Sequence, residues 1–303
     1  MSPSTPRTIE EYLDQLRVAL RGADPALIQD ALYDAEDHLR SELAENPGKS
    51  EADVLAKIAT SYGAPEEVAE IYVDKEQQVQ QALYSPPPPP RKTALGRFFG
   101  VAADPRAYAA LFYMLLSLAT GIFYFVWAVT GLSLSIGLSI LIFGLAFAVL
   151  FFGTVRVLSL VEGRIIEVML GERMPRRPVY AERGKPFMER IKDMFTDPRT
   201  WSTLLYMLLM LPLGIVYFTL AVSGIVTSLA LMVAPIAILL RYYGVIDNGG
   251  VYIDGHMFVP PLILMPFTFL LGMVLLFAML HVARGIGHFQ GALAKHLLVK
   301  SAA

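Results

Sequence analysis

Cysteine is absent from the 303 residues. The chain therefore has no means of forming a disulfide framework, a thiolate metal centre or a cysteine nucleophile. Charge is scarce, at 17% of residues against 55% hydrophobic. A mean hydropathy of +0.51 lies above the usual range of soluble domains and points to a membrane protein. The first residues carry no basic stretch leading into an apolar run, so no cleavable signal peptide is expected. Ser2 stands where a myristoylated chain needs Gly, and the final Ser-Ala-Ala is no prenylation signal. Neither a cofactor nor a metal is expected.

The net charge of −2 hides an asymmetry. Residues 1–85 hold 17 acidic and 7 basic side chains, a net of −10, while the remainder is +8. An acidic N-terminal region does not seek nucleic acid or an anionic lipid surface, so no direct nucleic-acid binding is expected. It can seek a basic protein partner, or simply be a solvated surface. Its local signals read as four short helices. Thr8 and Glu11 have capping-box spacing, Asp24-Pro25 and Ser50 open the second and third helices, and Pro65 opens the fourth. Gly22 and Gly63 sit at the expected stops. Ile28, Leu32, Ala35, Leu39 and Leu43 line one face of the second helix. Asp34, Glu36, Asp37, Glu66, Glu67 and Glu70 are the candidate partner surface, and His38 reads as a solvated neighbour of carboxylates. Ser85 to Lys92, "SPPPPPRK", follows. Its five prolines make a stiff spacer of roughly 15 Å at ~3 Å per residue.

Beyond the spacer the chain repeats itself. "ADPRAYAALFYMLLSLATGIFYF" from Ala103 and "TDPRTWSTLLYMLLMLPLGIVYF" from Thr196 are identical at 13 of 23 positions without a gap. A second match, at an offset of 128 rather than 93, sets "RVLSLVEGRIIEVMLG" (156–171) against "RGIGHFQGALAKHLLV" (284–299), so the second copy carries about 35 extra residues. The uncharged runs Leu111–Thr130 and Leu132–Val155 each reach the ~20 residues that a spanning helix needs, with a tight hairpin expected at Gly131. Residues 156–170 read as an amphipathic helix at the bilayer interface. Thr203–Ser223 and Pro261–Ala283 are the other two spans. Gly224–Leu240 is short and broken by Pro235. With four crossings every basic segment lies on the cytoplasmic side, and Gly224–Leu240 is then expected to be re-entrant or to lie in the outer interface.

Two motifs carry candidate sites. Asp104-Pro105-Arg106 and Asp197-Pro198-Arg199 precede the first helix of each copy. Asp caps free amides, Pro suits the first turn, and Arg can reach lipid phosphate. "DNGGVYIDG" has turn signals at Asn248-Gly249 and Asp254-Gly255 and predicts a small external β-hairpin. Its Asp247, Asn248, Tyr252, Asp254 and His256 are a candidate ligand loop, although the spacing matches no calcium loop.

These motifs carry two resemblances. "DPRTWSTLLYMLLMLPLGIVYF", the glycine-rich hairpin and "ARGIGHFQGALAKHLLV" resemble the sensor domain found at the N-terminus of some bacterial histidine kinases and also without a kinase. "YLDQLRVAL", "DAEDHLRSEL" and "YGAPEEVAEIY" resemble the HAAS domain of bacterial membrane proteins, which often occurs alongside PadR-like transcription regulators. No phosphorylatable-histidine helix or ATP-binding domain is seen before Ala303, so output by binding is expected. The resemblance implies an all-α protein in the bacterial cytoplasmic membrane with both termini inside. The expected domains are an acidic helical one at 1–85, the linker at 86–96, and repeats at 97–180 and 181–303, with the external insertion at about 225–260. Implied partners are the lipid bilayer and a cytoplasmic protein such as a PadR-like regulator, with a homodimer as a further option. A transporter or small channel is the alternative, but the spans hold no Asp, Glu, Lys or Arg, which transport sites usually need. Catalysis would rest on His281, His288 and His296, which share a loose helical face but have no carboxylate close in sequence.

Overall fold

The structure is a computed structural model, described for residues 6–83, 93–177, 187–246, 251–253, 256–258 and 261–299. The proline spacer lies outside the described residues, as do Asp247, Asn248, Asp254 and the side chains of Tyr252 and His256.

The chain is all-α apart from one small hairpin. The N-terminal helices are α1 (Ile9–Ala19), α2 (Pro25–Glu45), α3 (Glu51–Ser61) and α4 (Pro65–Leu83). The expected caps form. Thr8 accepts from the Glu11 amide, Asp24 from Ala26 and Ser50 from Asp53, which satisfies amides that a helix start leaves open. Gly22 and Gly63 adopt φ of 92° and 111°, a region that L side chains avoid. Tyr12, Leu16, Leu20, Leu39, Val54, Leu55, Ile58 and Val68 form the head's core. The Tyr12 hydroxyl donates to the Gly63 carbonyl at 2.9 Å, tying α1 to the turn before α4. His38, half-buried, stacks on Tyr62 at 4.4 Å.

The remaining elements are α5 (Ala94–Phe99), a 3-10 turn (Gly100–Ala103), α6 (Pro105–Leu138), α7 (Ile142–Leu170), α8 (Phe187–Thr196), α9 (Pro198–Tyr242), strands β1 (Val251–Ile253) and β2 (His256–Phe258), a second 3-10 turn (Leu262–Leu264) and α10 (Met265–Leu298). The strands pair antiparallel, with Tyr252 opposite Met257. Four helices, α6, α7, α9 and α10, are long and apolar enough to cross a membrane. Contacts divide the chain into two units. One contains residues 1–87, 127–206 and 291–303, and the other residues 88–126 and 207–290.

Three expectations are corrected. The first hairpin does not turn at Gly131, because α6 runs on to Leu138 and reverses over Ser139–Leu141. Gly131 is instead the spot where the Phe151 ring packs, and Gly144 is the glycine the reversal needs, since a Cβ there would overlap the Leu138 carbonyl. Residues 224–240 do not form a separate re-entrant or surface segment. They continue α9, which is 45 residues long and contains Pro212 and Pro235. Gly224 receives the Met279 side chain of α10, and Gly272 approaches the Ser228 backbone. The amphipathic stretch 156–170 is the second half of α7 rather than a separate helix. The first two share a physical reason. A glycine or proline costs a helix about 1–3 kcal/mol in water, but breaking the ladder in an apolar medium strands several backbone groups, which costs more.

In the second unit α6 and α9 approach through a reciprocal contact. A Cβ on Gly121 would overlap the Met210 carbonyl, and one on Gly214 would overlap the Ser117 carbonyl. Residues 121 and 214, like 117 and 210, are separated by the repeat offset of 93. The two copies of one sequence thus meet as a symmetric dimer interface does, each offering its glycine to the other's backbone. Substituting Gly121→Ala or Gly214→Ala should lower stability by about 1–3 kcal/mol, read as thermal unfolding in detergent. Gly137→Ala, where the space is open, should leave the midpoint unchanged.

Candidate functional site

The two Asp-Pro-Arg motifs build the same local structure. Asp104 accepts from the Arg106 amide at 3.0 Å, and Asp197 accepts from the Arg199 amide at 3.1 Å. Four residues after each Asp, an exposed aromatic donates back to a carbonyl, Tyr108 to Ala102 and Trp201 to Phe195. Arg199 does not reach outward for lipid. Its guanidinium donates to the Leu298 carbonyl at 2.9 Å, and the Ser202 hydroxyl donates to Leu297 at 2.7 Å, so the second motif caps the C-terminus of α10. In the other unit Asp104 lies 3.7 Å from Arg284.

The offset of 128 sets Glu162 of α7 on Gln290 of α10. Both are buried, and each accepts from a tyrosine. Glu162 takes the Tyr206 hydroxyl at 2.8 Å, and Gln290 takes the Tyr217 hydroxyl at 3.1 Å. The histidines are not gathered into a centre. His281 bonds the Phe98 carbonyl at 3.0 Å and stacks on its ring, while His288 and His296 are exposed. No group of three metal-ligating side chains occurs among the described residues.

The densest charge chemistry lies in the first unit, where the head meets residues 171–177. Helix α7 ends on Gly171 in the left-handed conformation. The chain then leaves without regular structure, and Arg173 is carried into the head, where it is only 7% exposed. Its guanidinium reaches Asp30 of α2 at 2.8 Å and Glu76 of α4 at 2.9 Å. Asp30 is itself 5% exposed. It takes one bond from Arg173 and two more from the backbone amides of Arg176 and Arg177, at 2.7 and 2.8 Å. Burial pushes the Asp30 carboxyl above its ordinary range, and Arg173 and the two amides pull it back only in part. Glu167 of α7 holds Arg176 at 2.9 Å and also pairs with Arg164.

Around this centre lie two less buried pairs. Arg177 meets Asp34 at 2.8 Å, and Lys295 of α10 pairs with Asp24, the cap of α2. Gln29 donates to the Arg177 carbonyl at 2.9 Å. Asp34 also accepts from the Tyr72 hydroxyl at 3.1 Å, and Tyr72 bonds Tyr62, so the ring of charges is wired into the head's own core. Burial raises the Tyr62 and Tyr72 hydroxyls above their usual range.

Of the acidic residues selected from sequence, only Asp34 belongs to this site. Glu36 pairs with Arg40, and Asp37 accepts from Ser41 through its carbonyl. Glu67 bonds the Ala64 amide at 3.2 Å, and Glu66, Glu67 and Glu70 are exposed on the first turns of α4. Asp30, Glu76, Glu167 and Arg173 were missed. The charge asymmetry between head and body was the available signal, but it does not say which residues meet.

The long apolar helices and the polar helical head fit a multi-pass membrane protein with an attached polar helical domain. Residues 113–298 match the family model Sensor, described as Putative sensor, and residues 11–71 match the model HAAS. The first match covers more than half of the chain, which therefore belongs to the Sensor family, with a HAAS domain preceding the sensor domain, as the motifs indicated. These domains fit a role in membrane signalling. No curated protein and no solved structure matches the chain.

The site should divide sharply in mutagenesis. Asp30→Ala or Arg173→Ala strands a buried charge and should weaken head docking by about 3–5 kcal/mol. Asp34→Ala removes a pair whose Arg177 side chain is 53% exposed, and should cost about 0–1 kcal/mol and fade with salt. Limited proteolysis after residue 83, scored against salt concentration, checks both.

Proposed function

We propose that the protein is a membrane signalling switch. Its bilayer helices respond to envelope state or to a hydrophobic ligand, and its acidic head is held or released in response. One observation supports this most directly: Arg173, two residues past Gly171 at the C-cap of α7, forms ion pairs with both α2 and α4. A shift or rotation at that end of α7 moves the guanidinium relative to two carboxylates at once. Buried ion pairs suit such a contact. Their net contribution to stability is small when they are formed, yet breaking one side is costly, so the contact has two well-separated states. Lys295 ties α10 to the start of α2 in the same way.

In this reading the chain lies in the bacterial cytoplasmic membrane, with the head, the basic segments and the C-terminus inside and the β-hairpin outside. Output is by binding. The released head engages a cytoplasmic protein, for which a PadR-like transcription regulator is the candidate implied by the HAAS match. The four helices span about 44–68 Å at 1.5 Å per residue, well beyond the ~30 Å of hydrocarbon. Tilt and depth are therefore free to change with bilayer thickness.

The absence of cysteine allows a clean test. Glu70→Cys and Val157→Cys, both exposed positions, carry spin labels in full-length protein placed in nanodiscs whose hydrocarbon is roughly 5 Å thinner or thicker than ~30 Å. The expected result is a second, longer distance population in one of the bilayers, matching that of Arg173→Ala. A single docked distance in every bilayer, against a shifted one in Arg173→Ala, would remove bilayer thickness as the signal.

A further inference from the structure

We propose that the α2–α4 face of the head is a binding site for an extended protein segment bearing two arginines four residues apart, and that residues 173–177 occupy it as an internal mimic. The inference rests on the releasable head proposed above and names the chemistry of its partner.

The division of labour within "RMPRR" carries the argument. Two of its side chains serve the body alone, and Arg173, which lies 3.7 Å from Glu167 of α7, is shared between body and head. Met174 is buried against Gly163 of α7, and Arg176 pairs with Glu167 of the same helix. What the head itself reads is narrower. Asp30 and Glu76 take the Arg173 guanidinium, and Asp34 takes that of Arg177. Asp30 also accepts the amides of residues 176 and 177, while Gln29 donates to the carbonyl of 177. Three carboxylates thus read two arginines, and main-chain groups are read in both directions, as in other backbone-recognition sites.

This pattern selects among partners. Phosphate-bearing ligands, whether nucleic acid or lipid headgroup, are repelled by Asp30, Asp34 and Glu76. The interior of a helix has its amides committed to its own ladder, so a segment docking by such a face would deprive Asp30 of two of its three donors. A lysine offers a point charge in place of the planar fork that Arg173 presents to Asp30 and Glu76. What remains is a non-helical Arg-x-x-x-Arg stretch of a protein. It can bind only when the chain's own copy has left, so the mimic makes the site autoinhibited.

The test uses full-length protein in nanodiscs and a fluorescent peptide of sequence ERMPRRP, residues 172–178 of the chain, with binding read by anisotropy. Wild type should bind weakly. Arg173→Ala/Arg177→Ala, which vacates the site, should bind the peptide about tenfold or more tighter, the factor by which an occupied site suppresses apparent affinity. Adding Asp30→Asn should abolish that gain, and a peptide with both head-reading arginines changed to Ala should not bind. Arg177→Ala alone, at the exposed rim, should show an intermediate gain and guards against a double variant that misfolds. The proposal is overturned if a chain shown by spin-label distances to have released its head binds no peptide, if Asp30→Asn leaves the affinity unchanged, or if the arginine-free peptide binds equally well. A bilayer that never releases the head would defeat the switching reading while leaving peptide binding to the double variant intact.

Discussion

Hydrocarbon offers a backbone amide no partner, and that constraint shapes most of this molecule. Every peptide group within the apolar segments must find its bond inside its own helix. Residues that would end a helix in water therefore do not end one here. α9 passes through Pro212, Gly224 and Pro235 over 45 residues, and α6 passes through Gly121 and Gly131. Once the helices are unbroken, their glycines take on another task. They become the points of close approach, because van der Waals contact between helices replaces the hydrophobic effect as the force holding them together.

Duplication turns that local rule into a symmetric one. When a sequence with one approach point is written twice, Gly121 meets the carbonyl of Met210 and Gly214 meets that of Ser117. The copies have diverged where symmetry is not needed. Glu162 and Gln290 stand at equivalent positions and each accepts from a tyrosine, but the tyrosines are not equivalent and the charge differs. The second copy alone carries the lengthened α9 and the β1–β2 hairpin.

Outside the apolar segments the physics changes to desolvated charge. Asp30, Glu76 and Arg173 would each be costly to bury alone, and together their opposite charges offset much of that cost, with the amides of Arg176 and Arg177 completing the bonds to Asp30. The arrangement adds little net stability but demands one geometry. It also links the end of α7 to two head helices and, through Asp34, Tyr72 and Tyr62, to the head's core. A contact of that kind transmits position better than an apolar one, which would tolerate sliding.

The sequence by itself determined the elements whose causes are local. The caps at Thr8, Asp24 and Ser50, the stops at Gly22 and Gly63, the paired Asp-Pro-Arg starts, the number of spanning helices and the hairpin strands all follow from neighbours within a few residues. It also revealed the duplication and the acidic head. Tertiary structure decided where the glycines act, because Gly131 and Gly224 read as breaks until Phe151 and Met279 are seen against them. It decided the destination of Arg199 at the end of α10. It alone brought Asp30 to Arg173, 143 residues apart in sequence. The charge totals foretold an attraction of acid for base, but Coulomb attraction has no register. The choice among 17 acidic residues in the first 85 was made by which side of α2 the packing of the head left facing the end of α7.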